Sequence, residues 1–357
     1  MLLKEMFIFS PKSKRNAAYG QKVGQFPFFT SSNLIDRFVD EPDYSGEYLI
    51  IGDGGTGNCK YYKGKFSVSN HNYLLQPKKG TNALCVKYFL MKDCYKVLND
   101  GFKGVGIKNV SKKYIESIDY AFNKRFSENE IVENLQKIES LIDEKKKQIT
   151  TLDSLVKSRF MEMFGDVLRN SKNFQTCHFG EYVYQMNIGP FGSDLKNDCF
   201  VPKELSACMV YEQKHAIEKT LNVPTRYISN EKYSHLKRFE IGPGDIIVSC
   251  RGTVGECWIL PEEAPKGIIH PSLMLIKPND AVNHEFLMYL LERILSEQTQ
   301  QGSGVKMAIR AKDLSKIVCI KPSREDQNHF IDFVHLVDKS KFVVHSRYFL
   351  CDIFTLF

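Results

Sequence analysis

The chain has 357 residues, 43% of them hydrophobic and 25% charged. This is an ordinary globular composition that excludes a disordered or collagen-like polymer and favours two compact bodies over one. The net charge of +7 is uneven: residues 1–125 hold 20 Lys/Arg against 11 Asp/Glu, residues 167–324 hold 20 against 17, and the stretches 126–166 and 325–357 are mildly acidic. Two basic blocks alternating with acidic segments point toward a polyanionic partner, with solubility as the plainer alternative.

At the N-terminus Lys4 and Glu5 interrupt the apolar run before a signal-peptide core forms, and no later run reaches the roughly 20 residues of a membrane span. The expected location is the cytoplasm, with no membrane contact. In the first block Glu47–Ile51 reads as a strand, followed by the turn Ile51-Gly-Asp-Gly-Gly-Thr-Gly57. That turn continues into Asn58 and Cys59 where a phosphate-binding loop needs Lys and then Ser or Thr, so no nucleotide-driven motor is indicated. Phe102-Lys-Gly-Val-Gly106 imitates a glycine-rich methyl-donor turn but lacks a strand-turn-helix setting, and Pro42-Asp43 with Glu47 lacks the lysine of a nuclease cluster. The ten cysteines contain no Cys-x-x-Cys pair and read as reduced thiols, and the nine histidines form no close metal-ligand cluster.

A long helix follows. Ser127 with Glu130 is a capping box, and Ile131, Leu135, Ile138, Ile142, Ile149, Leu152 and Val156 advance in steps of three and four, with Lys145 and Arg159 as polar breaks and Gly165 as a stop. Some 40 residues of helix would reach about 60 Å, more than one domain needs for its own core. In the second block Asp245–Ser249 and Ser272–Lys277 read as strands and Glu285–Glu292 as an amphipathic helix. The loops Gly189-Pro-Phe-Gly-Ser193 and Gly302-Ser-Gly304 suit either close phosphate approach or plain turns. Phe330, Val334, Val337, Val344, Tyr348 and Cys351, interrupted by Lys341, form a second helical seam that would pair antiparallel with the first.

The two halves repeat. Ile115 and Leu314, Ile118 and Ile317, Ile131 and Phe330, Leu135 and Val334, and His71 and His270 are each 199 residues apart, and the Ile51–Gly57 turn resembles Val248-Ser-Cys-Arg-Gly-Thr-Val-Gly255. The expected architecture is α+β, with two pseudo-repeated α/β domains separated by two long antiparallel coiled-coil helices. The boundaries are residues 1–124, 125–166 (central helix), 167–322 and 323–357 (C-terminal helix, shortened).

Leu152-Asp-Ser-Leu-Val-Lys-Ser-Arg-Phe-Met-Glu-Met-Phe-Gly-Asp166 closely resembles the central helical region of specificity (S) subunits of type I restriction-modification systems. Phe26-Pro-Phe-Phe-Thr-Ser-Ser32 and Asn187-Ile-Gly-Pro-Phe-Gly-Ser193 resemble the openings of that family's target-recognition domains, and Lys321-Pro322 followed by Gln327, Phe330 and Phe333 resembles the start of its second helix. The resemblance implies a non-catalytic subunit whose two target-recognition domains each read half of a split sequence in double-stranded DNA. The helices would hold them apart and dock methyltransferase and restriction (motor nuclease) subunits. This chain would carry no cofactor; S-adenosylmethionine, ATP and magnesium would belong to the partners.

On that reading the candidates for DNA contact are Ser31, Ser32, Asn58, Lys60 and His71 in the first domain, and Gly192, Ser193, Arg251, Thr253, His270, Ser303 and Lys306 in the second. Arg251 is favoured because an arginine bonds guanine bidentately, with a surface ion pair as its alternative. The two histidines also suit a structural role at strand ends. Lys157, Arg159 and Phe160 are candidates for packing or partner docking. After Lys341-Phe342 the chain turns apolar where the family continues a longer charged helix, so the central-helix seam near Ile131 is expected to lack a helical partner and to be covered by a methyltransferase subunit or a second copy of this chain, with fold-back of the apolar tail from Val343 to Phe357 as the alternative. The competing functional readings are a DNA-modifying enzyme, a coiled-coil assembly protein, and a silent or recombined specificity cassette.

Overall fold

The computed structural model describes residues 1–106, 108–121, 127–206, 208–301 and 310–345, without the side chains of 298–301 and 342–345. The chain divides into two units, the first built on residues 1–147 and the second on 148–344.

In the first unit, strands β1 (Phe7–Phe9), β2 (Phe26–Phe29), β3 (Phe38–Val39), β4 (Tyr44–Gly52), β5 (Cys59–Val68) and β6 (Asn72–Pro77) form one sheet in the order β1-β6-β4-β5-β2-β3. All pairs are antiparallel except β2 with β5. Residues of a strand alternate between faces, and both faces of β4 are covered. Leu49 and Ile51 join a core with helices α1 (Leu3–Met6), α2 (Ala83–Asn99) and α3 (Lys112–Ser117), whereas Tyr48 and Ile50 join Phe29, Phe66 and Val68. Helix α2 breaks between Lys92 and Tyr95, where Asp93, Cys94 and Tyr95 take positive φ. A short pair, β7 (Phe102–Lys103) and β8 (Asn109–Val110), precedes α3.

Helix α4 (Glu128–Phe164) begins at the expected capping box: Ser127 Oγ accepts from the Glu130 amide at 3.2 Å and Glu130 accepts from the Ser127 amide at 3.0 Å. It ends at Gly165, whose φ of +67° suits glycine because a Cβ there is strained. The uncovered seam expected near Ile131 is not found. Ile131 and Leu135 are buried in the first unit's own core with Ile118 and Tyr120, because the domain helices already present an apolar face there.

Among the described residues the second unit has eleven strands: β9 (Thr176–His178), β10 (Val183–Ile188), β11 (Phe200–Val201), β12 (Cys208–Tyr211), β13 (Arg226–Ile228), β14 (Glu240–Ile241), β15 (Ile246–Ser249), β16 (Cys257–Ile259), β17 (Gly267–Ile269), β18 (Leu273–Pro278) and β19 (Val318–Ile320). They make sheets β10-β18-β15-β16 and β11-β13-β12-β17-β14, plus the pair β9-β19. The helices are α5 (Gln213–Glu218), α6 (Asn230–Leu236), α7 (His284–Gln301), α8 (Ala311–Ser315) and α9 (Arg324–His345). Ile246, Val248, Met274 and Ile276 face the core with α7, whereas Ile247, Leu273 and Leu275 face the core with β12 and β17. Within this unit the C-terminal part of α4 runs antiparallel to α9: the Phe160 and Phe330 rings lie 5.3 Å apart and Lys341 pairs with Asp153 at 2.8 Å.

The sequence repeat is a repeat of hydrogen bonds. The amide of Leu3 donates to Ile118 O at 3.0 Å, as that of Phe179 does to Ile317 O at 2.8 Å. Asn82 caps α2 and donates to Asn129 at 3.2 Å, and Asn283 caps α7 and donates to Asn328 at 3.0 Å. Each domain helix is thus tied at its start to the first turn of a long helix.

Candidate nucleic-acid interface

In the first unit the loops gather around the turn that carries His71. The Asp53 amide donates to His71 O at 3.1 Å, the Asn70 amide to Arg15 O at 2.7 Å, and the Ser10 amide to Leu74 O at 3.0 Å. Asp53 is buried, and its carboxylate accepts from His71 Nδ1 at 3.1 Å and pairs with Lys12. This fixes the imidazole and leaves Nε2 outward on a largely exposed side chain.

Asn58 and Lys60 do a different job from the exposed residues. Asn58 is only 3% exposed, and its Nδ2 donates to the carbonyls of Ser31 and Thr56 at 3.0 and 3.2 Å. Lys60 Nζ donates to Thr30 O at 3.2 Å and to Asn58 Oδ1 at 3.1 Å. No carboxylate neutralises Lys60 among the described residues, and burial pushes its ammonium down to about 8. The pair anchors the Thr30–Ser32 loop from below, leaving Ser31 half-buried and Ser32 exposed with its Oγ accepting from the Leu34 amide at 3.1 Å. Gly52 is required beside this anchor, since a Cβ would meet Asn58 Nδ2 at 2.7 Å.

In the second unit the corresponding turn carries His270. The amide of Gly189 donates to Leu273 O at 2.9 Å, the same bond that Ser10 makes to Leu74. A Cβ on Gly189 would lie 2.3 Å from His270 O, so the Gly189–Ser193 loop is pressed onto this turn. Gly192 and Ser193 are exposed, and a Cβ on Gly192 would meet nothing within 4 Å. Arg251 and Thr253 sit exposed in the β15-β16 turn, whose Thr253 carbonyl accepts from Gln213 at 3.1 Å. Arg251 makes no ion pair among the described residues, so the surface ion pair weighed against base contact is not present there. The Ser272 amide, which only donates, bonds His270 Nδ1 at 3.2 Å, so a neutral ring carries its proton on Nε2. Burial lowers the His270 pKa, which favours the neutral ring. Ser303 and Lys306 lie outside the described residues.

The structure therefore gathers His71 with the anchored Ser31 loop in one unit, and in the other ties the turn that carries Arg251 and Thr253 to the turn of His270 through the Cys250–Ser272 bond, with Ser193 exposed on the loop that Gly189 presses onto it. Several neighbours escaped the sequence reading. Lys12, Lys14 and Arg15 form a basic run that a local charge count reveals; Arg15 pairs with Asp43 at 2.6 Å and stacks over Tyr19 at 4.0 Å. Glu212 is raised by burial yet brought below its ordinary value by Arg226 and Lys214, and Arg226 stacks over Phe200 at 4.0 Å. Nothing in the local sequence marks Asp53 or Glu212, because their importance comes from strands distant in the chain.

On the long helix, Lys157 is exposed and Arg159 pairs with Glu162 at 2.9 Å while lying 5.8 Å from the Phe333 ring. Phe160, by contrast, is 1% exposed and packs among Phe164, Phe286 and Phe330, so its contacts are within the chain. Among the described residues no three His, Cys, Asp or Glu side chains converge on a metal site, and no helix is long and apolar enough to cross a membrane.

The fold resembles that of the S subunit of a type I restriction-modification system from M. genitalium, with a TM-score of 0.54, 13% identity, and coverage of 100% of this chain and 92% of that one. The HsdS subunit from Thermoanaerobacter tengcongensis superposes with a TM-score of 0.44 at 13% identity, over 99% of this chain and 92% of that one. No curated protein matches the chain. The model of the type I restriction modification DNA specificity domain matches residues 2–153 and again residues 210–345, once in each copy of the internal repeat. With most of its length covered by that model and its fold shared with an S subunit, the chain belongs to the type I restriction modification DNA specificity domain family.

Proposed function

We propose that the protein is the DNA-recognition subunit of a type I restriction-modification complex, in which each unit reads one half of a split target. The observation that carries this reading is the double match of the specificity-domain model, which takes in both His71 and His270 and the turns that share the Ser10–Leu74 and Gly189–Leu273 bond. In the first unit, Ser32 and His71 contact DNA while Asn58 and Lys60 hold the Ser31 loop. In the second, Gly192, Ser193, Arg251, Thr253 and His270 make the contacts, joined by Ser303 and Lys306. Phosphates supply the sequence-independent affinity and a few side chains read base edges. Methyl transfer with S-adenosylmethionine, and DNA translocation and cleavage with ATP and magnesium, belong to partner subunits in the cytoplasm. The two long helices dock these partners through exposed positions such as Lys157.

Methylome sequencing tests the proposal. Exchanging residues 167–321 for the matching part of a relative is expected to change one half of the methylated motif and leave the other. A change in both halves, or in neither, overturns it, as does DNA methylation by the purified chain with S-adenosylmethionine alone.

A further inference from the structure

The pair β9-β19 closes the second unit where the chain enters from α4 and leaves toward α9. Its register sets Cys177 directly opposite Cys319. The Phe179 amide donates to Ile317 O at 2.8 Å and the Lys321 amide to Gln175 O at 2.6 Å, two residues to either side of the cysteines. Antiparallel pairs alternate between bonded and non-bonded positions, so the cysteines occupy a bonded position with Cα atoms about 5.5 Å apart, a separation a disulfide spans.

The first unit shows that the fold does not require these thiols. There the same positions, read from the Leu3–Ile118 bond that corresponds to Phe179–Ile317, are Met1 and Tyr120, joined by a 2.9 Å bond from the Tyr120 amide to Met1 O. Cysteine at both positions is thus particular to the second copy.

We propose that Cys177 and Cys319 form a cross-strand dithiol that a peroxide oxidises to a disulfide, stapling the entry and exit strands of the second unit. Cys177 is 7% exposed and Cys319 is fully buried, so the peroxide meets Cys177 first. The facing sulfurs shift each other in opposite directions: the Cys319 thiol lowers the Cys177 pKa, while Cys177 and burial raise that of Cys319, which favours Cys177 as the attacking and Cys319 as the resolving thiol. The Cys177 thiolate attacks one peroxide oxygen, the O–O bond breaks, and the leaving oxygen takes a proton to become water. Cys319 sulfur then displaces hydroxide from the Cys177 sulfenic acid, its proton leaving with that hydroxide as a second water. Two thiols and one hydrogen peroxide give one disulfide and two waters. Thiol–disulfide exchange with a reducing dithiol reopens the bridge, which makes the step reversible.

The test uses the full chain. After treatment with hydrogen peroxide, alkylation with N-ethylmaleimide under unfolding conditions and non-reducing digestion, the expected product is a cross-linked peptide pair holding Cys177 and Cys319, lighter than the separate peptides by two hydrogens. The oxidised protein should melt at a higher temperature than the same sample after dithiothreitol. In Cys319→Ser the cross-link should disappear and a dimedone adduct at Cys177 replace it. Full alkylation of both thiols after peroxide, over-oxidation of Cys177 without a cross-link, or cross-links confined to other cysteines such as the exposed Cys94 would overturn the proposal.

Discussion

The two units share a strand order but not a sheet; the second adds β11 and β14, and the split itself falls in one stretch of chain. In the first unit β5 runs unbroken for ten residues, pairing antiparallel with β4 along most of its length and parallel with β2 at its end. In the second, the corresponding stretch is two short strands: β16 pairs with β15, β17 pairs parallel with β12, and Pro261 and Pro265 lie between them. Proline has no amide to give a ladder, so a strand containing two of them ends and restarts. One curled sheet becomes two, yet the turn after it still carries its histidine, at His71 or His270. A duplicated recognition fold can therefore alter its sheets while keeping the loops that meet the ligand.

The comparison breaks most readily in the cores. Trp258 is the chain's one tryptophan and lies in the second unit, so its fluorescence reads that unit alone. Phe160→Ala is expected to cost the second unit about 3–5 kcal/mol by opening the aromatic cluster, lowering the urea midpoint seen by Trp258. Leu135→Ala removes about 2–5 kcal/mol from the first unit and should leave the Trp258 midpoint in place. Equal shifts from both would show that the units unfold as one.

The next effect concerns recognition. Arg251→Ala is expected to cost about 1–3 kcal/mol of binding and to relax one base position in one half of the target. A uniform loss across sequences in a competition assay would make Arg251 a phosphate contact instead. At about 1 kcal/mol each, the paired caps are smaller: Asn283→Ala should move the Trp258 midpoint, whereas Asn82→Ala should not.

A pH slope peculiar to the first unit follows. Burial holds Lys60 at about 8, below the value it regains in the unfolded chain. Above about 8 the unfolded chain binds more protons, so this group makes stability rise with pH until its unfolded value is reached. Below about 8 the cost of burying the charge is fully present. The corresponding stretch of β16, Cys257-Trp-Ile259, has no lysine. Urea denaturation followed by circular dichroism from about pH 7 to about pH 9 should show this slope in the wild type and its loss in Lys60→Met.

How far the site was legible follows from the distance over which each feature is encoded. Arg251 and His71 are visible because a turn motif and a repeat mark their places, and both turn out exposed on loops. Asn58 and Lys60 sit in an equally visible motif, but their side chains point into the unit beneath Thr30 and Ser31, an orientation decided by the alternation of β5 against its neighbours. Phe160 stands in a helix motif that reads as a docking surface until the aromatic rings of α7 and α9 close over it.

The sequence by itself determined the elements whose signals are local: the capped ends of α4 at Ser127 and Gly165, the strands around Ile50, Ile247 and Leu275, and the internal repeat, since helix periodicity, turn chemistry and spacing need no distant partner. Only the tertiary structure decided what covers the apolar seam of α4. Burial depends on which surfaces are already present: the first unit's core closes over Ile131 and Leu135, while α9 closes over Phe160, and no count of residues in either helix distinguishes those outcomes.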